Sequence, residues 1–204
     1  SNITQRPLNL SGSRAYDSTR TASGSDLSFT NIVSGETLGL TGSGVLDSPA
    51  AGTRTIVNTN TLAISDGSGI ASNYTLTNGT LTMTIVPRST TVSGTKTYDG
   101  TTNVASSNLT SFSNLAGSDT LSLSGTGTIS SADVGTGKTV NTSGLTIDNS
   151  SGVGSNYTLS AATVNVTERV IGLSGVRAFD GTNNASSADL SISNLVSGEN
   201  LTLS

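Results

Sequence analysis

Three aromatic-carboxylate pairs recur along the chain: Tyr16-Asp17, Tyr98-Asp99 and Phe179-Asp180. A phenol beside a carboxylate can bind a polar ligand, so these pairs are the first candidates for chemistry. Phe179 carries no hydroxyl, however, and a catalytic tyrosine does not survive exchange for phenylalanine. The shared feature is therefore the ring. It reads as a core ring at a strand end. An Asx-type turn on Asp17, Asp99 and Asp180 follows it. Gly100 and Gly181 supply a positive φ there. Two further recurrent pairs, Asn73-Tyr74 and Asn156-Tyr157, sit in Asn-Tyr-Thr, where the asparagine suits a turn. The same tripeptide is a glycan acceptor sequence. All twelve residues are expected to be structural, with no catalytic, cofactor-binding or metal-ligating residue among them.

Gly135-Thr136-Gly137-Lys138-Thr139 resembles part of a phosphate-binding loop. The full motif needs a glycine at 132, where this chain has Ala132, and a helix after it. The following Val140-Asn141-Thr142 reads as strand, so a glycine-rich hairpin turn with an exposed lysine is expected. The carboxylates, ten Asp and three Glu, are spread singly and form no calcium loop. Glu36, Asp119 and Glu199 recur at one place, after a turn and before a strand. They could gather calcium at a junction with an adjacent unit, or serve as solvated charges that blunt a strand edge. The chain has no Cys, His or Trp. That removes disulfides, thiolate nucleophiles, cysteine-ligated metals and every histidine-based triad. A net charge of −4 argues against nucleic acid. No run of 18 apolar residues or signal-peptide pattern is visible, so membrane insertion by this segment is not expected.

The elements that must position these residues are strands. With 36 Ser and 34 Thr in 204 residues and only 11% charged residues, the chain favours extended backbone. Thr80-Leu81-Thr82-Met83-Thr84-Ile85 and Thr120-Leu121-Ser122-Leu123-Ser124 alternate with period two, the mark of half-buried strands. No segment keeps a helical apolar period. The fold class is all-β.

The strands repeat. Gly12-Ser13-Arg14-Ala15-Tyr16-Asp17 returns as Gly94-Thr95-Lys96-Thr97-Tyr98-Asp99, and again as Gly175-Val176-Arg177-Ala178-Phe179-Asp180. A second block returns at Asn31–Leu40, Asn114–Leu123 and Asn194–Leu203. The period of about 82 residues suits small β-sandwich-like units. The boundaries are 1–6, the tail of a preceding repeat; 7–88, repeat one; 89–169, repeat two; and 170–204, the start of a third. Both ends fall inside a repeat, as in a window on a longer array. Strands in repeat two are expected near 90–98, 109–115, 119–129, 138–147 and 156–167. Pro87-Arg88 and Glu168-Arg169 are the whole connections, which implies little hinging and an extended rod.

Lys96-Thr97-Tyr98-Asp99-Gly100-Thr101-Thr102, then Ala132–Val140, Gly144-Leu145 and Asn156-Tyr157-Thr158-Leu159, resemble the YDG-type tandem repeat. Such repeats occur in bacterial surface and secreted proteins, many of them filamentous-haemagglutinin-like adhesins exported by two-partner secretion. Repeat one departs from the pattern at Ser18 and in the loop Pro49–Arg54. The resemblance implies a non-enzymatic stalk or filament segment of an extracellular adhesin or biofilm-matrix fibre. Its partners would be neighbouring repeats of the same chain, other filaments, cell surfaces or matrix polysaccharide, and it would need no cofactor. The alternative is a carbohydrate-binding module, which the shortage of aromatics (3%) disfavours.

Overall fold

The computed structural model describes residues 2–203. It is all-β: 48% of the chain is strand and no helix reaches seven residues. The helical elements among the described residues are single 3-10 turns of three residues, such as Gly24–Asp26, Ser106–Asn108 and Ser187–Asp189. Each of these three feeds the strand beginning at Leu27, Leu109 or Leu190.

The chain divides into two compact units that cut across the sequence period. One comprises residues 2–91, Phe112–Leu123 and Thr146–Ser160; the other comprises Val92–Ser111, Ser124–Leu145 and residues 161–203. Part of repeat two therefore belongs to the same compact unit as repeat one.

The first unit is built on a six-stranded sheet. Its order is Thr21–Ser23, Ser43–Leu46, Gly52–Asn58, Thr82–Val86, Leu10–Ala15 and Leu27–Phe29. Two of its inner strands, Leu10–Ala15 and Thr82–Val86, run parallel, with Thr84 opposite Ser13 and Val86 opposite Ala15. Alternation in Thr82–Val86 turns Met83 and Ile85 inward, where they meet Leu10 and Leu46. All four are essentially inaccessible to solvent. Each such side chain contributes about 1.5–3 kcal/mol by leaving water. The same cluster continues through Tyr16 to Ala116 and Tyr157 of repeat two.

The second unit has a smaller core of Val92, Val104, Leu109, Ile129, Val140, Ala162, Val164 and Val166. Tyr157–Thr167 supplies the last three, and its inner half pairs antiparallel with Gly135–Thr139. Gly172–Gly175 and Leu190–Ser193 form an antiparallel pair with Leu173 opposite Ile192.

Two expectations need correction here. The strand expected over 138–147 is two strands, Gly135–Thr139 and Leu145–Asn149. Asn141 Oδ1 accepts the Ser143 N–H at 3.0 Å and folds a turn between them. The expected glycine-rich hairpin at 135–139 is a bulged strand, its register shifting between Gly135 and Lys138. The Gly137 N–H donates to Asn165 Oδ1 at 2.7 Å, and Lys138 is half-buried, its ammonium donating to the Ser131 carbonyl at 2.9 Å.

Candidate functional site

The aromatic-Asp segment lies where the strands Leu10–Ala15 and Arg88–Thr97 end. The glycine that opens the motif is dictated by contact. A Cβ on Gly12 would stand 1.9 Å from the Asp26 carbonyl oxygen. On Gly94 it would stand 1.7 Å from that of Asn108, and on Gly175 1.9 Å from that of Asp189. Only glycine lets these strands pass over the 3-10 turns. Past the aromatic residue the chain folds into an Asx turn. Asp17 accepts the Thr19 N–H at 2.8 Å, and Asp99 and Asp180 accept those of Thr101 and Thr182 at 2.9 Å. The next residue takes a left-handed conformation, with φ of 66° at Ser18, 74° at Gly100 and 80° at Gly181.

A cation three residues before each aspartate locks the loop. Lys96 is only 4% exposed, yet its ammonium reaches Asp99 at 2.8 Å and the carbonyls of Thr101 at 3.0 Å and Asn103 at 2.6 Å. Arg14 pairs with Asp17 and donates to the Thr19 carbonyl at 2.7 Å; Arg177 pairs with Asp180. Lys96 beside it holds the Asp99 carboxyl below the usual carboxylate range, and Arg177 does the same for Asp180. Burial pushes Asp17 up, but the Thr19 bonds and Arg14 outweigh it and hold that carboxyl low as well. The recurrence of Arg14, Lys96 and Arg177 was visible in the sequence; their service to the loop was not.

The three aromatic rings meet different fates. Tyr16 is 5% exposed, Tyr98 is half-buried and Phe179 is 94% exposed. The sequence reading expects a buried ring at a strand end, and Tyr16 is one. Tyr16 is covered by residues of repeat two. Its ring packs edge-on against Tyr157, with centroids 5.4 Å apart and planes at 76°. Its hydroxyl donates to Asp119 Oδ2 at 3.1 Å, and the Tyr157 hydroxyl donates to the same oxygen at 2.6 Å. The Ala116 N–H donates to the Tyr157 hydroxyl at 3.1 Å, which fixes that phenol from behind. One further bond crosses between the repeats, the Ala51 N–H donating to Asn156 Oδ1 at 2.9 Å; at the end of repeat one, Arg88 Nη1 donates to the Tyr16 carbonyl at 3.2 Å.

The hydroxyl therefore has a role that Phe179 concealed. Burial raises the Tyr157 phenol to about 12, with Asp119 as the second cause, and the same two causes raise Tyr16. Both phenols keep their protons at neutral pH and act as donors. Tyr98 donates to Glu199, and Tyr74 to Glu36. These bonds to carboxylates are the first cause of the raised Tyr98 and Tyr74 values.

Glu36, Asp119 and Glu199, considered above as calcium ligands, each accept tyrosine hydroxyls. Among the described residues no group of three Asp or Glu could hold a metal ion. Asn73 is exposed, whereas Asn156 is buried at the junction.

A second recurrent device escaped the sequence reading. Arg88 Nε donates to the Asn114 carbonyl at 2.8 Å and its Nη2 to Asn114 Oδ1 at 2.7 Å; Asn114 Nδ2 donates to the Ser89 carbonyl at 2.7 Å. Arg169 and Asn194 repeat this set, and Arg6 with Asn31 repeats part of it. The signal was an arginine followed 25 or 26 residues later by asparagine, in three copies.

A profile of the YDG domain matches the chain twice in tandem, over residues 3–83 and 80–165. No curated protein and no solved structure matches it.

Proposed function

This chain belongs to the YDG domain family, and on that footing we propose that it is a structural segment of a stalk or filament. Its repeats transmit position and tension rather than carry out a reaction. The observation that supports this reading is the Tyr16–Asp119–Tyr157 junction. A ring from one repeat is buried among side chains of the next, so neighbouring repeats share a core. The connection between them is a single residue, Pro87, between the strands Thr82–Val86 and Arg88–Thr97. A chain held in this way resists bending at the junction, which a spacer requires. The proposed setting is the outside of a bacterial cell, in an adhesin or a matrix fibre. The absence of cysteine suits export as an unfolded chain.

Small-angle scattering on the 204-residue chain tests the reading. A ten-residue strand spans roughly 33 Å at about 3.3 Å per residue. An end-to-end arrangement of the two full repeats and partial ends would then have a maximum dimension of roughly 100 Å on that same rise. A distance distribution about half as long, from repeats folded back on each other, would contradict it.

A further inference from the structure

The Tyr16–Tyr157 junction brings together two groups that can react with each other. The rings meet edge to face with centroids 5.4 Å apart, a contact distance for such a pair. Both hydroxyls donate to a single atom, Asp119 Oδ2, at 3.1 Å from Tyr16 and 2.6 Å from Tyr157. The hydroxyl ends converge on that oxygen, which carries the ortho carbons of both rings toward one place. The pair has little freedom to part. Both rings are buried, the Ala116 N–H holds the Tyr157 hydroxyl at 3.1 Å, and Arg88 holds the Tyr16 carbonyl at 3.2 Å.

We propose that this pair is a site of oxidative cross-linking, at which a one-electron oxidant joins Tyr16 to Tyr157 through a bond between their ortho carbons, a dityrosine. Each phenol gives one electron to the oxidant and releases its O–H proton. Asp119 Oδ2 is the proton acceptor already in place, and the 2.6 Å bond from Tyr157 is as short as bonds to a charged oxygen become. The carboxylate takes one proton, passes it to solvent and takes the next. The two phenoxyl radicals form one carbon–carbon bond, and the hydrogen on each coupled carbon moves to its own oxygen, which restores both phenols. Two electrons and two protons leave in all. With a peroxidase and hydrogen peroxide as the oxidant, one peroxide becomes two waters.

Burial does not prevent this, because an electron leaves a buried phenol without contact, and it shields the radicals from other partners. Coupled biaryl rings are twisted about their bond, so planes at 76° need not become parallel. The product is a covalent tie between repeat one and repeat two where hydrogen bonds now hold them. It stands on the geometry of the pair and not on the stalk reading, since the bond forms whether or not the repeats make a rod.

Photo-oxidation of the dilute 204-residue chain with tris(bipyridyl)ruthenium(II) and persulfate, a soluble one-electron oxidant, tests it. The expected product is a monomer lighter by two hydrogens that shows dityrosine fluorescence. After trypsin it should join the peptide Ala15–Arg20 to the peptide Thr139–Arg169. Tyr98→Phe should leave that product unchanged, and Tyr16→Phe should abolish it. Asp119→Asn keeps an oxygen that accepts the hydroxyls but cannot take their protons, and should lose most of the linkage while near-ultraviolet circular dichroism keeps the signal of the packed rings. Oxidation that never joins those two peptides overturns the proposal, even if tyrosines link elsewhere or between chains. An undiminished yield in Asp119→Asn overturns the role given to Asp119.

Discussion

The Tyr16 and Tyr98 junctions use equivalent residues and reach different degrees of closure. Tyr16 is buried, stacks edge-on to Tyr157 and shares Asp119 with it. Tyr98 is half-buried and donates to Glu199, and a pocket of about 300 Å³ that includes Val196 and Leu201 lies open beside it. At Tyr16 the cover is a second tyrosine, Tyr157, which sits 38 residues after Asp119. There the carboxylate catches the hydroxyl and the Asn-Tyr-Thr tyrosine packs on the ring. The two motifs that recur in the sequence are thus two halves of one joint, contributed by successive repeats.

The largest expected difference between the joints comes from removing the ring. Tyr16→Ala should cost about 3–5 kcal/mol, as for other buried aromatics. Tyr98→Ala should cost clearly less, because much of that ring is still in water. Urea unfolding of both variants measures this, and equal costs would dissolve the distinction.

Alkali should sharpen it. Tyr157 holds its proton to about 12 and Tyr16 is also raised, whereas an unfolded tyrosine releases its proton near 10. The folded chain is the tighter proton binder. Its stability is complete below about pH 10 and falls as pH rises toward the folded values. Denaturation midpoints across that window should show a smaller alkaline loss in Tyr16→Phe, with Tyr98→Phe changing it less.

Smallest is the effect of the hydroxyl at neutral pH. Tyr16→Phe should cost about 1–1.5 kcal/mol, the typical contribution of one hydrogen bond. Tyr98→Phe, at a solvated site, should cost less than that. Thermal melts of the two variants provide the comparison.

Much of the framework was legible in the sequence. The alternation of Thr82-Met83-Thr84-Ile85 marks a strand because one face must leave water, and Met83 and Ile85 do so. The turn on Asp99 was legible because Asx chemistry is local. The parallel pairing of Leu10–Ala15 with Thr82–Val86 was not, since the partners lie about 70 residues apart and either could pair elsewhere. The split at Asn141 was missed because Val140-Asn141-Thr142 has strand composition and the turn rests on one side-chain bond. The role of the hydroxyl was not legible because its acceptor, Asp119, lies 103 residues beyond Tyr16. The useful signal was the constant 38-residue separation of Glu36 from Tyr74 and of Asp119 from Tyr157. A carboxylate and a phenol that keep step through a repeat point to a bond between them.

The central claim is that Tyr16 of one repeat and Asp119 of the next are energetically coupled. A double-mutant cycle of Tyr16→Phe and Asp119→Ala, read by urea unfolding of the 204-residue chain, tests it most directly. The cycle should give a coupling of about 1–1.5 kcal/mol, the typical contribution of one hydrogen bond. The same cycle on Tyr98→Phe and Glu199→Ala should give a smaller coupling. Additive costs at Tyr16 and Asp119, with a coupling indistinguishable from zero, would mean that the repeats merely touch there and that the joint does not hold them together.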